Sequence, residues 1–240
     1  MPRDPGAAEK PGWLLDEVAS AGRENLDAGH VARYDAKEHS GAADEVSLCQ
    51  QLGLGRESTV VDVGAGTGQF TVAVAPACAR VVAVDVSDVM LDRLRAKVVE
   101  AGLSNVEVVR AGFLSYEHRG DPADLVYSRY ALHHLPDFWK ALALVRLRAI
   151  LAPGGVLRLW DLVYSFDPAE AQDRVESWCA NYSVDAQRGW SAEELEEHVR
   201  DESSTFSWLL EPMIERSGFH IEDAWYSDDC IFAKYVLRRV

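Results

Sequence analysis

Cysteine is scarce in this chain of 240 residues, and the four present stand far apart. Cys49, Cys78, Cys179 and Cys230 form no C-x-x-C pair and no zinc-finger spacing, so neither a disulfide framework nor a cysteine metal centre is expected. Reduced, mostly buried thiols in a cytoplasmic protein fit better. No apolar run is long enough to span a bilayer. The opening Met1–Gly6 is short and polar, and Glu9 and Lys10 follow it, which is not a secretory pattern. Positive charge is also short: 24 Lys and Arg against 39 Asp and Glu, a formal net charge of −15. That average field repels a polyanion. No basic cluster offsets it, since Arg146, Arg148 and the Arg93-Leu-Arg-Ala-Lys97 stretch read as solvated helix faces. Nucleic acid and membrane are therefore not expected partners, no metal ligands are identified, and the oligomeric state is left open. What remains is a globular composition, with 48% hydrophobic residues in a chain long enough for one α/β domain with a sizeable core.

The most informative stretch is Thr59-Val-Val-Asp-Val-Gly-Ala-Gly-Thr-Gly-Gln-Phe70. Its β-branched start suits a strand buried on both faces. Gly64, Ala65, Gly66, Thr67 and Gly68 follow, and Gln69 to Ala75 reads as a helix. Strand, glycine turn and helix start make a backbone-lined crevice that a ligand can approach closely. A dinucleotide fingerprint needs a small residue at position 69, where Gln69 stands, which argues against an NAD-dependent oxidoreductase. About 20 residues past the glycines, Arg80-Val-Val-Ala-Val-Asp85 is a second buried strand ending in a carboxylate, placed where nucleotide folds grip ribose hydroxyls. The other reading of Asp85, an acid capping the next helix, is opposed by Ser87, which fills that role.

The D-x-G-x-G-x-G loop from Asp62, followed by Asp85, resembles the first two motifs of the class I S-adenosylmethionine-dependent methyltransferases. Ser128-Arg-Tyr-Ala-Leu-His-His-Leu-Pro136 resembles the family's motif after the fourth strand, and Leu151-Ala-Pro-Gly-Gly155 its turn into the fifth. The resemblance is closest to the small-molecule, quinone-biosynthesis-like branch, and it covers residues 56–162 strongly and 209–239 by general pattern. It implies a doubly wound, mostly parallel seven-stranded Rossmann-like α/β sheet, with leading helices and a helical insertion after the fifth strand. It also implies S-adenosylmethionine as cofactor and transfer of a methyl group to a small, partly apolar molecule. The alternative is a cofactor-binding partner or regulator without transfer activity. The cofactor-binding set it implies is Tyr34, Asp62, Gly64, Ala65, Gly66, Asp85, Val86, Met90, Gly112, Phe113, Ser128 and Arg129. One departure stands out. Where the family carries an acid that commonly binds the adenine amino group, this chain has Gly112, so backbone or another residue must take that contact.

Methyl transfer from a sulfonium needs alignment, water exclusion and, for a hydroxyl acceptor, removal of a proton. Tyr127 to His134 is expected to face the methyl group. His133 and His134 are the candidate bases, since imidazole titrates near neutral pH, although one of the pair reads equally as structural. Asp161 and Tyr130 are further candidates. Arg129 faces either the cofactor's methionine carboxylate or a surface acid. Residues 1–55 read as a leading helical lid or simple edge packing, with a short amphipathic helix starting at Trp13 and Tyr34 in the part that closes. Residues 56–240 form the methyltransferase domain. Within it, 163–208 reads as a helical substrate-side insertion. Its aromatics (with Trp160 just before it: Tyr164, Phe166, Trp178, Tyr182, Trp190, Phe206 and, at its end, Trp208) line an apolar pocket or pack as core.

Overall fold

The computed structural model describes residues 11–22, 24–37, 41–180 and 189–240. Tyr182 and residues 1–10 lie outside them. Strands β1 (Thr59–Val63), β2 (Arg80–Asp85), β3 (Val106–Arg110), β4 (Ala123–Arg129) and β5 (Leu151–Tyr164) pair in parallel in the order β3-β2-β1-β4-β5. β6 (Thr205–Phe206) is a two-residue strand set against the end of β5. β7 (Phe219–Tyr226) and β8 (Phe232–Arg239) form the closing hairpin, with β8 antiparallel between β5 and β7. The expected seven-stranded, mostly parallel doubly wound sheet is present, with β6 added. Val60, Val61 and Val63 on β1 and Val81 to Val84 on β2 are fully buried, as two-sided strands require.

Helices α1 (Ala28–Lys37) and α2 (Ala42–Gln51) precede the sheet. α3 (Gln69–Val74), α4 (Asp88–Glu100) and α5 (Asp137–Ile150) are its crossovers, α6 (Ala171–Ala180) and α7 (Ala192–Asp201) lie in the stretch after β5, and α8 (Ser207–Arg216) leads into the hairpin. Ser87 caps α4 by accepting the Met90 N–H. Among the described residues, no helix is long and apolar enough to cross a membrane.

One expected element does not form. Trp13 to Ser20 makes turns, not a helix. The Asp16 carboxylate accepts from Val18 N at 3.1 Å and Ala19 N at 3.3 Å, which offers the backbone a local alternative to helical bonding. Leu14 and Leu15 still pack on the main core, and Trp13 stacks on Trp139. The leading residues are tied to the sheet by a buried fork as well. On β5, Arg158 donates through Nε and Nη2 to the two Glu45 carboxylate oxygens of α2, at 2.8 and 2.9 Å.

The order β2-β1-β4 reverses chain direction of travel across the sheet at β1. The carboxyl ends of β1 and β4 are thus the topological switch point, where open α/β sheets bind ligands.

Candidate functional site

At that switch point lies a crevice. Its floor is the glycine turn, the end of β2 and the Ala111–Phe113 loop, and its roof is the leading segment through Glu17, Asn25 and Tyr34. A second cavity continues it toward Asp62, Gln69 and Tyr127 and shares Tyr34, Gly64, Gly66, Arg129 and Tyr130.

The turn is anchored to β2. Gly64 N and Ala65 N both donate to Val84 O, at 2.8 and 3.0 Å. Gly66 has φ +53°, and a Cβ placed there would meet nothing nearer than Met90 Sδ at 4.0 Å. A left-handed backbone facing open space is a surface that a ligand can touch. Asp85 closes the floor: one oxygen accepts Gly66 N at 2.9 Å and the other Ser87 N at 2.8 Å. Burial raises its pKa above the ordinary carboxylate value, and those backbone donors partly offset the rise. Asp62, on β1, is 2% exposed and accepts from Thr71 Oγ1 at 2.5 Å. Its burial, opposed by the Thr71 hydrogen bond and helped by Asp85, lifts its pKa to about 7.

Gly112 explains itself in this geometry. A Cβ there would stand 2.3 Å from Glu17 Oε1 and 2.8 Å from Val86 Cγ1. The Glu17 carboxylate occupies the space, accepting from Leu114 N at 2.9 Å and from Ser115 Oγ at 2.8 Å. A carboxylate therefore does face the crevice at the Ala111–Phe113 loop, but it comes from the leading segment. Sequence reasoning missed Glu17; the signal was the absent side chain at Gly112. Ser87 also ties the roof down, since its hydroxyl donates to Asn25 O at 2.6 Å.

Eleven of the twelve residues implied for the cofactor line these two cavities: Tyr34, Asp62, Gly64, Ala65, Gly66, Asp85, Val86, Met90, Gly112, Phe113 and Arg129. Ser128 does not; it is fully buried within β4 and lines neither cavity. The Arg129 guanidinium packs over the Tyr130 and Trp160 rings, at 4.6 and 4.3 Å from their centroids.

The histidine pair divides. His133 is 4% exposed and lines neither cavity. Its Nδ1 stands 2.5 Å from Asp161 Oδ1 and its Nε2 stands 2.9 Å from Glu202 Oε2. Burial works against a charged imidazole, but Asp161 and Glu202 outweigh it and raise its pKa to about 10. His133 thus stands away from the crevice with both ring nitrogens against carboxylates. His134 does line the crevice, with Nε2 3.3 Å from Asn25 Nδ2. Burial and the charge on His133 lower its pKa to about 3, so it is neutral at physiological pH and weakly basic. Its geometry suits orienting a group more than removing a proton. Tyr130 lines the crevice too, whereas Asp161 stands behind it, holding His133.

The aromatics after β5 are packed. Tyr164 and Phe166 are buried with Leu162 and Ile231, and Trp178 and Phe206 lean on them. Trp208 is exposed, Trp190 lies against His30, and none of these lines the crevice described above.

Residues 60–155 match a methyltransferase domain family. A curated methyltransferase of Oceanobacillus iheyensis is 24% identical over 165 residues, 69% of this chain and 70% of that protein. The chain is a methyltransferase with the fold of the class I S-adenosylmethionine-dependent enzymes. Two solved structures share the fold. The YcgJ protein of Bacillus subtilis superposes with a TM-score of 0.62 at 17% identity, covering 84% of this chain and 100% of that one. The N-methyltransferase NodS of Bradyrhizobium japonicum, in complex with S-adenosylhomocysteine, gives 0.61 at 16%, covering 94% and 99%. S-adenosylmethionine is the cofactor of this methyltransferase, and the open face at Gly66 beside the Asp85 carboxylate fits an adenosine.

Proposed function

We propose that this methyltransferase acts on a small, partly apolar molecule. The observation that supports it most is the roofed crevice. Glu17, Asn25 and Tyr34 cover the carboxyl ends of β1, β2 and β4, which leaves room for a compact acceptor and little for a polymer. The net charge of −15 points the same way.

Each residue then has a task. Asp85 accepts from ribose hydroxyls, and the Gly66 backbone lies against the adenosine. Glu17, held by Leu114 and Ser115, supplies the carboxylate for the adenine amino group that Gly112 lacks. Val86, Met90 and Phe113 flank the base, while Asp62, Ala65 and Arg129 stand at the methionine end. The cofactor supplies a methyl group already activated on a sulfonium. The chain has to align an acceptor with it and keep water out. Tyr34 lines both cavities and serves as the closing side chain of the leading lid, residues 1–55, over the 56–240 domain. His134 orients the acceptor from the crevice wall. Residues 163–208, described in part, back the crevice wall from behind, where Glu202 meets His133 and His134.

Calorimetric titration with S-adenosylhomocysteine and, separately, NAD tests the cofactor half; heat with the first alone is expected. Methyl release across a panel of small phenols, amines and quinol-like acceptors tests the rest. Cofactor binding with no transfer to any acceptor, small or macromolecular, would instead favour a binding protein.

A further inference from the structure

Behind the crevice, three chain segments bring metal-ligand types together. His133 sits in the turn after β4, Asp161 on β5, and His198 and Glu202 at the end of α7. Asp161 engages Nδ1 of His133, which leaves Nε2 directed at Glu202 Oε2, 2.9 Å away. Ser204 Oγ lies 2.9 Å from Nε2 of His198, which leaves Nδ1 directed at the same Glu202 oxygen, 2.6 Å away. One ligand atom from each of His133, His198 and Glu202 lies within 4.8 Å of the others.

We propose that His133 Nε2, His198 Nδ1 and the Glu202 carboxylate form a site for a first-row divalent cation of the zinc type, beside the cofactor crevice. Two imidazoles and one carboxylate are a ligand set for zinc or iron(II) and a poor one for magnesium or calcium, which take oxygen ligands. The outer contacts have the arrangement that ligating histidines use. Each imidazole has its other nitrogen against an oxygen, Asp161 for His133 and Ser204 for His198, which fixes the rings. The two carboxylates give the cluster a negative charge that protons on the imidazoles or a bound cation can balance. Asp161 and Glu202 have side chains only 2% and 14% exposed, and among the described residues their ion pairs are all to histidines. Tetrahedral ligands at zinc distances stand roughly 3.4 Å apart. A retreat of the Glu202 carboxylate by less than about 1 Å would open that spacing. Metal and proton compete for His133 Nε2.

His134 stands beside this cluster. Its Nδ1 lies 3.8 Å from Glu202 Oε2, is buried, and has no hydrogen-bond partner among the described residues. His134 also lines the crevice, so a cation here would fasten the end of α7 to the wall that the acceptor meets.

The full chain, stripped with a chelator, is titrated with Zn²⁺ calorimetrically and with Co²⁺ by its ligand-field absorption. One equivalent per chain is expected. Glu202→Gln and His198→Ala should each weaken it at least 100-fold, while Glu193→Gln, on the same helix outside the cluster, should not. Zn²⁺ should raise the thermal midpoint of the parent but not of the two ligand variants. If a variant fails to fold, X-ray absorption of the zinc-loaded parent decides instead: two imidazoles in the shell are expected, and none overturns the site. No uptake by the parent, or uptake indifferent to both substitutions in folded variants, also overturns it and leaves the cluster held by protons alone.

Discussion

Replacing Asp85 with alanine separates two jobs that this carboxylate holds at once. In the structure each oxygen accepts one backbone N–H, Gly66 at 2.9 Å and Ser87 at 2.8 Å. The same group borders the crevice, and carboxylates have spare lone pairs for ribose hydroxyls. Truncation therefore removes a charged acceptor from the ligand and also frees the Gly66 end of the turn. Hydrogen bonds to charged groups contribute about 1.5–3 kcal/mol each. A loss of about 1–3 kcal/mol in cofactor binding is expected, or roughly 5- to 150-fold in Kd. Stability without ligand should change less, since burying the carboxylate has its own cost, visible as its raised pKa. Asp85→Asn is the informative companion. Its amide can accept one of the two backbone N–H groups but presents a donor to the other, so it should also lose affinity. The assay is calorimetric titration with S-adenosylhomocysteine, with thermal midpoints measured on the ligand-free proteins. A folded Asp85→Ala protein with unchanged affinity refutes the ribose assignment. Affinity lost only in proportion to a large drop in midpoint would mean that Asp85 serves the turn and not the ligand.

Gly66→Val should fold, with a midpoint lowered by a few degrees for a branched residue at φ +53°, and should lose measurable cofactor binding; normal circular dichroism with normal affinity contradicts this. Glu17→Ala should weaken S-adenosylhomocysteine by roughly 10-fold, and Glu17→Ala/Val86→Ala/Gly112→Asp should recover part of it, because the two truncations together remove the atoms within 3 Å of a Cβ at 112; an affinity of Glu17→Ala equal to that of the parent would remove Glu17 from the site. Glu45→Ala leaves Arg158 buried without its carboxylate and should cost about 3–5 kcal/mol in urea unfolding, whereas Glu45→Leu/Arg158→Met should regain most of it; a single-variant loss under about 1 kcal/mol refutes that account. Amide exchange over residues 25–37 should slow on adding S-adenosylhomocysteine if Tyr34 belongs to a closing lid, and unchanged protection would make the segment ordinary packing.

What could be read from the chain and what could not divides along sequence distance. The glycine turn, Asp85 and the Ser87 cap are local. Each depends on neighbours within one strand–turn–helix unit, so residue order displays it; Gly64, Gly66 and Asp85 line the crevice, and Ser87 caps α4. The aromatics after β5 left two readings open, pocket or core, because composition records how many rings there are and not which way they face. Once Thr205 and Phe206 pair with the end of β5, the rings close on one another as core. The helix expected at Trp13 failed for a nearer reason, since Asp16 binds the backbone two and three residues on. The histidine pair carries the sharper lesson. His133 and His134 are identical and adjacent, yet the fold turns one toward Asp161 and Glu202 and the other toward the crevice, with pKa values moved in opposite directions. No spacing rule along the chain assigns those environments, because the carboxylates arrive from β5 and from the end of α7. Gly112 shows what residue order can still offer at long range. A missing side chain in an otherwise matched motif marks a space, and a space at a binding site must be lined by something. Here it is Glu17, and the space a Cβ at 112 would take is held by that carboxylate and by the Val86 side chain. A departure from a family pattern is therefore evidence for a remote partner before it is evidence for lost function.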